Sequence, residues 1–264
     1  MDSEGVGLYS SVAKYSLSSR EAWAVICYPP HMPCDLDRRE AAIESLGVSY
    51  ILSMGEARLD FVVPGLRVLG KGHSSVVVAT LTDNGLRALK IRRLDSKRKS
   101  LVAEAKLLEE GSKVGATPKV YGYTNDAILM DYLGPLTLKR LFTEALADRE
   151  AMIDAILGAL RAARALDTVG VTHLELHRPY SNLVYPDRNN LKATLIIDLE
   201  SWSRGCGNVT RLASFFISRF GLQVDSIRHQ LRSYEDSCSS SEYLSIEKAI
   251  INDIANKESL NFGR

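Results

Sequence analysis

The sequence has little of what marks membrane, secreted or nucleic-acid-binding proteins. No apolar run approaches the roughly 20 residues that cross a bilayer, and residues 1–5 are not a basic segment followed by a hydrophobic one. The 33 basic and 32 acidic side chains nearly balance, so no excess of one sign attracts the chain to nucleic acid or to anionic lipid. We therefore expect a cytoplasmic protein with no nucleic-acid signature and no membrane partner.

Cysteine is also scarce. The four cysteines, Cys27, Cys34, Cys206 and Cys238, are widely scattered, and no two of them form a Cys-x-x-Cys pair. This spacing argues against a zinc knuckle and against a framework of disulfides. We expect the four thiols to be reduced and to carry no function.

The remaining composition is that of an ordinary globular protein. The chain has 264 residues, of which 45% are hydrophobic and 25% charged, enough for one large domain or two small ones. The pattern of elements divides it into residues 1–65, 66–133 and 134–264. The middle segment predicts antiparallel strands and the last one mainly helices, so the expected fold class is α+β.

Residues 1–65 predict a small accessory unit of one helix and one hairpin. Asp35 is the expected N-cap of a helix over 37–46, and strands at 48–52 and 59–63 would follow it. Such a unit would cover exposed surface of the next segment, regulate it or recruit a partner.

Residues 66–133 alternate strands with turns. The Asn84-Gly85 pair predicts a hairpin with a type I′ turn, which needs positive φ at both of its central positions. A helix follows in which Glu104 shares the apolar face, and Gly111 is expected to end it. An unpaired carboxylate on an apolar face is costly, which favours a buried partner.

A glycine turn, a lysine and this glutamate follow one another along the segment. Lys90 lies twenty positions after Gly70, and Glu104 lies fourteen positions after Lys90. Gly70 and Gly72 would let backbone N–H groups approach a phosphate closely. A kinase fixes a lysine on the nucleotide phosphates with such a carboxylate. The glycine turn could instead be a plain hairpin with two glycines. Glu104 could instead be a glutamate at the helix edge, neutralised by a neighbouring basic side chain.

The strand that includes Met130 ends at the loop Gly134-Pro135. A strand that leaves a sheet in this way is typical of a connector between two lobes. Position alone predicts that Met130 lines the back of a nucleotide pocket, and that the carbonyl of Asp131 and the N–H of Leu133 bond adenine. Val77, on an earlier strand, lies where it would pack over the base.

The second half supplies acidic residues. Asp198 follows a short apolar strand, so its carboxylate emerges at a strand end, where it could hold Mg²⁺ together with Asn182. Glu175 is the candidate to accept or orient the proton of an attacking hydroxyl. His173 and His177 flank Glu175 and form an alternative pair of metal ligands.

Six phrases occur in a fixed order along the chain: Leu69-Gly70-Lys71-Gly72-His73, Ala88-Leu89-Lys90-Ile91-Arg92-Arg93, Leu166-Asp167-x-x-Gly170, His173-x-Glu175-Leu176-x-Arg178-Pro179, Ile196-Ile197-Asp198-x-Glu200-Ser201 and Asn208-Val209-Thr210. Together they resemble the protein-kinase-like superfamily. The closer resemblance is to an atypical archaeal group of predicted serine/threonine kinases that is distantly related to RIO-type kinases. It covers roughly residues 35 to 220.

The resemblance implies a two-lobed protein-kinase-like fold, with an antiparallel-sheet N-lobe and a mainly helical C-lobe, and ATP and Mg²⁺ as cofactors. The metal would be held by Asn182 and Asp198, and catalysis would rest on Glu175, Lys90 and Arg178. The expected nucleotide-binding residues are Gly70, Lys71, Gly72, Val77, Lys90, Glu104, Met130, Asp131 and Leu133.

The sequence departs from eukaryotic-type kinases at two places. Glu175 stands where those enzymes have aspartate, and Asn182 follows it by seven positions rather than five. Leu199-Glu200 replaces the usual Phe-Gly after the metal-binding aspartate, and no Ala-Pro-Glu phrase follows. The expected activation segment is therefore short or absent.

Three functions fit these residues. The leading hypothesis is an ATP- and Mg²⁺-dependent serine/threonine protein kinase that acts on an unidentified protein substrate and on itself. The second is a nucleotide-binding pseudokinase scaffold that has lost transfer. The third is a RIO-like ATPase or a small-molecule kinase, because the same set of residues can transfer a phosphoryl group to water or to a small acceptor.

Overall fold

The structure is a computed structural model that describes residues 12–60, 62–144, 148–222 and 227–257. The chain forms two compact units. The first unit comprises Met1–Ala105 and Lys119–Tyr132, and the second comprises Lys106–Pro118 and Leu133–Arg264. The first is built on an antiparallel sheet and the second is mainly helical, which confirms the predicted α+β class.

The first unit contains nine strands and two helices within its described residues, and the helix α3 (Val102–Lys113) begins in it and ends in the second unit. The elements, in chain order, are β1 (Lys14–Ser16), α1 (Arg20–Ile26), α2 (Leu36–Glu44), β2 (Val48–Leu52), β3 (Ala57–Arg58), β4 (Arg67–Val68), β5 (Gly70–Lys71), β6 (Ser75–Thr82), β7 (Gly85–Arg92), β8 (Val120–Tyr123) and β9 (Ala127–Asp131). Asp35 caps α2 as predicted, since its carboxylate accepts the N–H of Arg38 at 3.3 Å.

Six strands form the sheet in the order β1-β2-β6-β7-β9-β8, and β5 pairs with β6 beside them. Every neighbouring pair is antiparallel. The long strands β6 and β7 pair along their whole length, from Ser75 opposite Arg92 to Thr82 opposite Gly85. This register decides which side chains share a face.

The residues before the glycine turn cover one face of this sheet. Helices α1 and α2 bury their apolar residues in one core with alternate residues of β6, β7 and β9, and β1 and β2 extend the sheet itself. The strand residues in this core are Val76, Val78, Leu89, Ile91, Ala127 and Leu129. The expected boundary at residue 65 therefore lies inside the first unit, whose core the leading segment completes.

A buried carboxylate ties the leading segment to the sheet. Asp126, just before β9, receives the guanidinium groups of Arg39 on α2 at 2.9 Å, Arg92 on β7 at 2.5 Å and Arg38 at 2.8 Å. Arg39 also donates to the carbonyl oxygens of Ile26, at 2.8 Å, and of Arg92. Burial alone would raise the pKa of the Asp126 carboxyl, but the hydrogen bond from Arg92 and the neighbouring guanidinium charges hold that pKa below its usual value.

The second unit packs its helices around α5. Its further elements are α4 (Leu138–Thr143), α5 (Arg149–Thr168), β10 (Val171–His173), a 3₁₀ turn (Pro179–Ser181), β11 (Leu183–Val184), β12 (Leu195–Ile196), β13 (Trp202–Arg204), α6 (Asn208–Phe220), α7 (Arg228–Ser237) and α8 (Ser240–Asn256). Strand β10 pairs with β13, and β11 pairs with β12, both antiparallel.

Three expectations about local structure are wrong. The helix α3 does not end at Gly111 but continues to Lys113, and the glycine with positive φ that follows it is Gly115 (+70°). Of the strand predicted at 59–63, the described residues do not form a strand, because the N–H groups of Val62 and Val63 both donate to the carbonyl of Leu59 and close a tight turn; residue 61 lies outside the described residues. The hairpin between β6 and β7 is present, but its turn is not type I′. Positive φ occurs at Gly85 (+96°), after the two-residue turn, and not at Asn84.

The expectation of reduced cysteines is also wrong. Cys27 and Cys34 form one disulfide, and Cys206 and Cys238 form a second, with 7 and 32 residues of sequence separation. The fold brings each pair to a Cα–Cα distance of 5.7 or 5.8 Å, within the ordinary range for a disulfide. The second disulfide joins the start of α6 to the end of α7. Sequence spacing carried no signal for it.

None of the helices in the described part of the chain is both long enough and apolar enough to cross a membrane.

The disulfides predict redox-sensitive stability. We expect Cys206→Ser with Cys238→Ser to lower the free energy of unfolding by about 3–4 kcal/mol, because the unfolded chain regains the freedom of a long loop. Urea denaturation measures the loss, and a reductant should have little further effect at this site. The denatured parent should show no free thiol, and the detection of four would contradict the pairing.

Asp126 predicts an acid-sensitive anchor. We expect Asp126→Asn to cost about 3–5 kcal/mol, because Arg39 stays buried without its counter-charge. The pKa of this carboxyl is lower in the folded chain, so its contribution is present above the unfolded-state pKa and is lost as pH falls through the folded-state value. Urea denaturation from pH 7 to pH 2 follows both effects.

The control for this experiment is Asp95→Asn, which breaks a more exposed pair with Arg93. It should cost about 1 kcal/mol or less. Equal losses in the two variants would contradict the assigned role of Asp126.

Candidate functional site

The face of the sheet opposite the α1–α2 core collects several of the predicted nucleotide-binding residues. Gly70 pairs with Val77, and Val77 pairs with Lys90, across three successive strands. Their neighbours Val76, Leu89 and Ile91 lie in the core on the opposite face. Because side chains alternate along a strand, Val77 and Lys90 point away from that core. Met130 shares their face, since it pairs with Ala88, two residues before Lys90.

Lys90 and Glu104 form a buried ion pair. The Lys90 Nζ lies 2.6 Å from Glu104 Oε1, and the two side chains are 4% and 1% exposed. Lys90 comes from the middle of β7 and Glu104 from the first turn of α3. The predicted contact between Lys90 and Glu104 is thus present. The alternative, a glutamate at the helix edge, is wrong.

The two glycines of the turn have ordinary backbone angles and open space around them. A Cβ on Gly70 would meet no atom within 4 Å, and one on Gly72 would meet only the Ser75 carbonyl oxygen, at 3.7 Å. The turn is closed by the Gly72 N–H, which donates to Ser75 at 2.9 Å, while Arg93 donates to the Gly72 carbonyl at 2.7 Å. The fold itself does not require glycine here, so the space suits the close approach of a ligand to the main chain.

Three predicted residues stand apart from this group. Lys71 faces the other side of the sheet, where its ammonium lies 5.9 Å from the ring centre of Tyr28. Only its backbone accompanies the glycines. The Asp131 carboxylate accepts the Tyr121 hydroxyl at 2.7 Å, and Leu133 follows the end of β9. The main-chain contacts of Asp131 and Leu133 to adenine stay predictions.

In the second unit, the positions of the predicted catalytic and metal-binding residues meet at His173. This side chain is fully buried. Its Nδ1 accepts the Glu175 N–H at 3.2 Å, and its Nε2 lies 3.2 Å from the Ile197 carbonyl, next to Asp198. The side chain of Asn182 lies 3.2 Å from the same Nε2. His173 therefore fixes three segments relative to one another within this unit.

These contacts select one tautomer of His173. A nitrogen that accepts the Glu175 N–H has no proton, so the proton of the neutral ring sits on Nε2 and is donated to the Ile197 carbonyl. Nε2 then cannot accept from the Asn182 amide nitrogen. The amide oxygen of Asn182 fits that contact better, and an oxygen that accepts from the His173 ring has less capacity left for a metal. Asn182 is thus a weaker candidate ligand than Asp198.

Glu175 lies at the surface of the loop formed by residues 173–182, which we call the Glu175 loop. Its Oε1 accepts the hydroxyl of Ser201 at 2.8 Å, and its carbonyl accepts the Arg178 N–H at 2.9 Å. The Leu174 N–H donates to the Ser201 carbonyl at 2.9 Å. An exposed carboxylate held by one neutral hydroxyl keeps acceptor capacity for a substrate proton.

Asp198 has an unusual backbone conformation. Its φ is +67°, and among the described residues only Cys238 shares positive φ without being glycine. Asp and Asn tolerate this region better than other residues, and such strain collects at ligand sites. Mg²⁺ takes one or two carboxylates together with phosphates and water, so Asp198 is a suitable donor.

The alternative of a metal site on His173 and His177 is not supported. The His173 ring is engaged with backbone groups, as described above, and His177 Nδ1 lies 3.0 Å from the Leu174 carbonyl. Within the described ranges, no group of three or more His, Cys, Asp or Glu side chains comes together.

A buried carboxylate positions the start of the Glu175 loop through a chain of hydrogen bonds. Asp167, near the end of α5, accepts the N–H groups of Gly207, Asn208 and Val209 at 3.0–3.1 Å, at the start of α6. The Asn208 side chain donates to Asp167 at 2.8 Å and accepts the His173 N–H at 2.7 Å. Burial raises the pKa of the Asp167 carboxyl, and these hydrogen bonds oppose the rise.

Sequence reasoning missed the roles of His173, Asp167, Asn208 and Ser201. All four belong to the phrases that carry the family resemblance, but no role was assigned to them beyond the metal-ligand alternative for His173. Ser201 meets Glu175 across 26 positions, His173 meets Asn208 across 35, and Asn208 meets Asp167 across 41. A phrase in one sequence does not report such pairings.

No family model matches the chain, and no curated protein sequence matches it. Among solved structures, the chain is similar to the crystal structure of a kinase domain, PF14_0431, with a TM-score of 0.43 and 18% sequence identity. The alignment covers 53% of this chain and 50% of that chain, so this chain matches about half the length of that kinase domain.

The open space at the glycine turn predicts a separation of stability from binding. We expect Gly72→Ala to leave the melting temperature of the free protein unchanged or slightly higher, because its φ is ordinary and no atom obstructs the methyl. The same variant should bind ATP–Mg²⁺ weaker by on the order of tenfold, because a side chain keeps backbone donors from a phosphate. Thermal melting with and without nucleotide measures both.

Gly85→Ala is the matched control, because its φ of +96° strains any side chain. It should lower the melting temperature and leave nucleotide affinity unchanged. If Gly72→Ala melts lower and binds as the parent does, the glycine serves the fold alone.

Proposed function

We propose that the protein is an ATP- and Mg²⁺-dependent phosphotransferase, an atypical serine/threonine protein kinase that acts on a protein substrate and on itself. The observation that carries this proposal is the buried Lys90–Glu104 pair at 2.6 Å, in register with the glycine turn. Protein kinases require such a strand lysine held by a helix glutamate for activity. The resemblance to the archaeal, distantly RIO-like group supports the same conclusion.

Each residue on the face of the sheet opposite the α1–α2 core has a role in this proposal. Lys90, oriented by Glu104, binds the α- and β-phosphates, and the backbone of the glycine turn contacts the phosphates further out. Val77 and Met130 pack against adenine. Bound ATP would supply the phosphoryl group, and Mg²⁺ held at Asp198 would supply positive charge beside it.

The second unit provides the residues that act on the acceptor. Asp198 holds the metal, with Asn182 as a subsidiary ligand. Glu175 orients the acceptor hydroxyl and accepts its proton, while the hydroxyl oxygen forms the new bond to the γ-phosphorus and ADP leaves with the electrons of the broken bond. Arg178, on the same loop, neutralises the transferring phosphate or braces the loop.

The glutamate in place of aspartate is compatible with this role. The Glu175 carboxylate is one methylene longer, and the hydroxyl of Ser201 restrains it at 2.8 Å. Ser201 follows Asp198 closely, so the segment after the metal-binding aspartate braces the catalytic carboxylate directly. A short activation segment suffices for this arrangement, which does not need phosphorylation to order it.

Substitution of Glu175 tests the proposal. We expect Glu175→Gln to lower the rate of phosphoryl transfer by about 10²-fold or more, because the amide cannot accept the proton. The melting-temperature rise with ATP–Mg²⁺ should equal that of the parent, because Glu175 does not hold the nucleotide. Label transfer from ATP to protein, run beside ADP release, gives the rate and the acceptor.

Two matched variants separate the outcomes. Asp198→Asn keeps a residue that tolerates positive φ and should lose the metal-dependent part of the shift. The double variant Lys90→Met with Glu104→Leu removes both buried charges, so the fold should persist without nucleotide binding. A parent that binds ATP but transfers to nothing supports the pseudokinase scaffold, and ADP release without labelled protein supports an ATPase or small-molecule kinase. If ATP–Mg²⁺ does not raise the melting temperature of the parent protein, all three functions are refuted.

A further inference from the structure

A groove beside the Glu175 loop has no part in the steps proposed above. Its volume is about 540 Å³, and all of its lining residues belong to the second unit. Its walls come from the Glu175 loop, through His177 and Tyr180, from α6, and from Glu235 on α7. We call it the Arg211 groove.

The Arg211 groove carries more positive than negative charge. Arg211 and Arg219 line it from α6, one on each side of the exposed Ser214, and Glu235 is the acidic residue of its lining. The Arg211 Nη1 donates to the Gly207 carbonyl at 2.9 Å, and Arg211 forms no ion pair with an acidic side chain of the described residues. Its remaining N–H groups can therefore bind a carboxylate.

The second arginine is held in place by an aromatic ring. The Arg219 guanidinium lies 5.1 Å from the ring centre of Phe142. Arg219 is thus engaged with the aromatic ring at its end of the groove, and the inference below uses the charge of Arg211.

The rest of the groove suits a polypeptide. Tyr180 and Phe215 meet edge to face with ring centres 5.2 Å apart, which gives an apolar surface. Ser214 and Ser218, one turn apart on α6, are exposed and short, so they leave room for an extended backbone and offer hydroxyls to it. Charge, apolar surface and hydroxyls together fit a peptide better than an isolated ion.

The position of the groove relates it to the acceptor. His177 lies two residues after Glu175 on the same loop, and Tyr180 follows three residues later. A peptide in the groove thus runs beside the residue that we assign to the acceptor hydroxyl. We infer that the Arg211 groove binds an acidic stretch next to the serine or threonine that is phosphorylated. This inference rests on the proposed function and names the class of its substrate.

The test uses three synthetic peptides with one serine each, flanked by glutamates, by glutamines or by lysines. Fluorescence anisotropy with the full chain measures binding without any need for transfer, and label transfer from ATP is followed in parallel. The parent should bind the acidic peptide most tightly, and a rise in salt should weaken that binding. Arg211→Gln should weaken it by about fivefold while the ATP shift stays that of the parent.

Arg188→Gln, which removes an exposed positive charge in a turn outside the groove, is the matched control and should change nothing. Glu235→Lys should tighten the acidic peptide further. Equal binding of the three peptides, or equal losses in the Arg211 and Arg188 variants, would overturn the inference. A single-stranded RNA that displaces the acidic peptide with higher affinity would also overturn it.

The two proposals fail separately. If the acidic peptide binds through Arg211 but no label is transferred, the inference about the groove is supported and the proposed kinase activity is contradicted. If label is transferred equally to all three peptides, the kinase activity is supported and the inference about the groove is contradicted.

Discussion

The buried contact between Lys90 and Glu104 is a constraint on which the structure of the first unit depends. Two charges removed from water are costly unless they meet at close range, and here they meet at 2.6 Å with almost no exposure. Their contact requires that β7 and the first turn of α3 keep one relative position. An apolar pair of similar volume would serve stability as well or better, so stability does not explain the charges. The phosphates of the proposed nucleotide would explain them.

The opposite face of the same sheet explains why the first 65 residues matter. Without α1 and α2, the side chains of Val76, Leu89 and Ile91 would be exposed to water. The guanidinium of Arg39 and the disulfide between Cys27 and Cys34 hold this covering in place. One face of the sheet is thus closed by the chain itself, and the face with Lys90 keeps its polar pair and the open glycine turn.

Among the described residues, each unit contains one buried aspartate, and the two are stabilised in different ways. Asp126 is surrounded by arginines, whose full charges keep the pKa of its carboxyl low. Asp167 is surrounded by backbone N–H groups at the start of α6, and the pKa of its carboxyl is raised because these dipoles do not fully compensate for burial. The first aspartate ties the leading segment to the sheet. The second positions His173, and through it the Glu175 loop.

The sequence alone determined the α+β class, the antiparallel pairing around the glycine turn and the partnership of Lys90 with Glu104. The class and the pairing follow from strand alternation and turn residues. The charge of Glu104 on an apolar helix face indicated a buried partner, and the residue order typical of kinases named Lys90. The open surroundings of Gly70 and Gly72 and the position of Asp198 at a strand end also agree with the local pattern.

Only the tertiary structure decided which distant residues meet. The pairing of all four cysteines, the core shared by residues on both sides of position 65, and the cluster of Asp167, Asn208 and His173 depend on contacts between segments far apart in the chain. The position of the proton on His173 follows from two backbone groups that folding brings to the ring. This proton position makes Asn182 a weaker candidate metal ligand. Spacing and periodicity describe neighbours along one element, whereas these features depend on how separate elements pack.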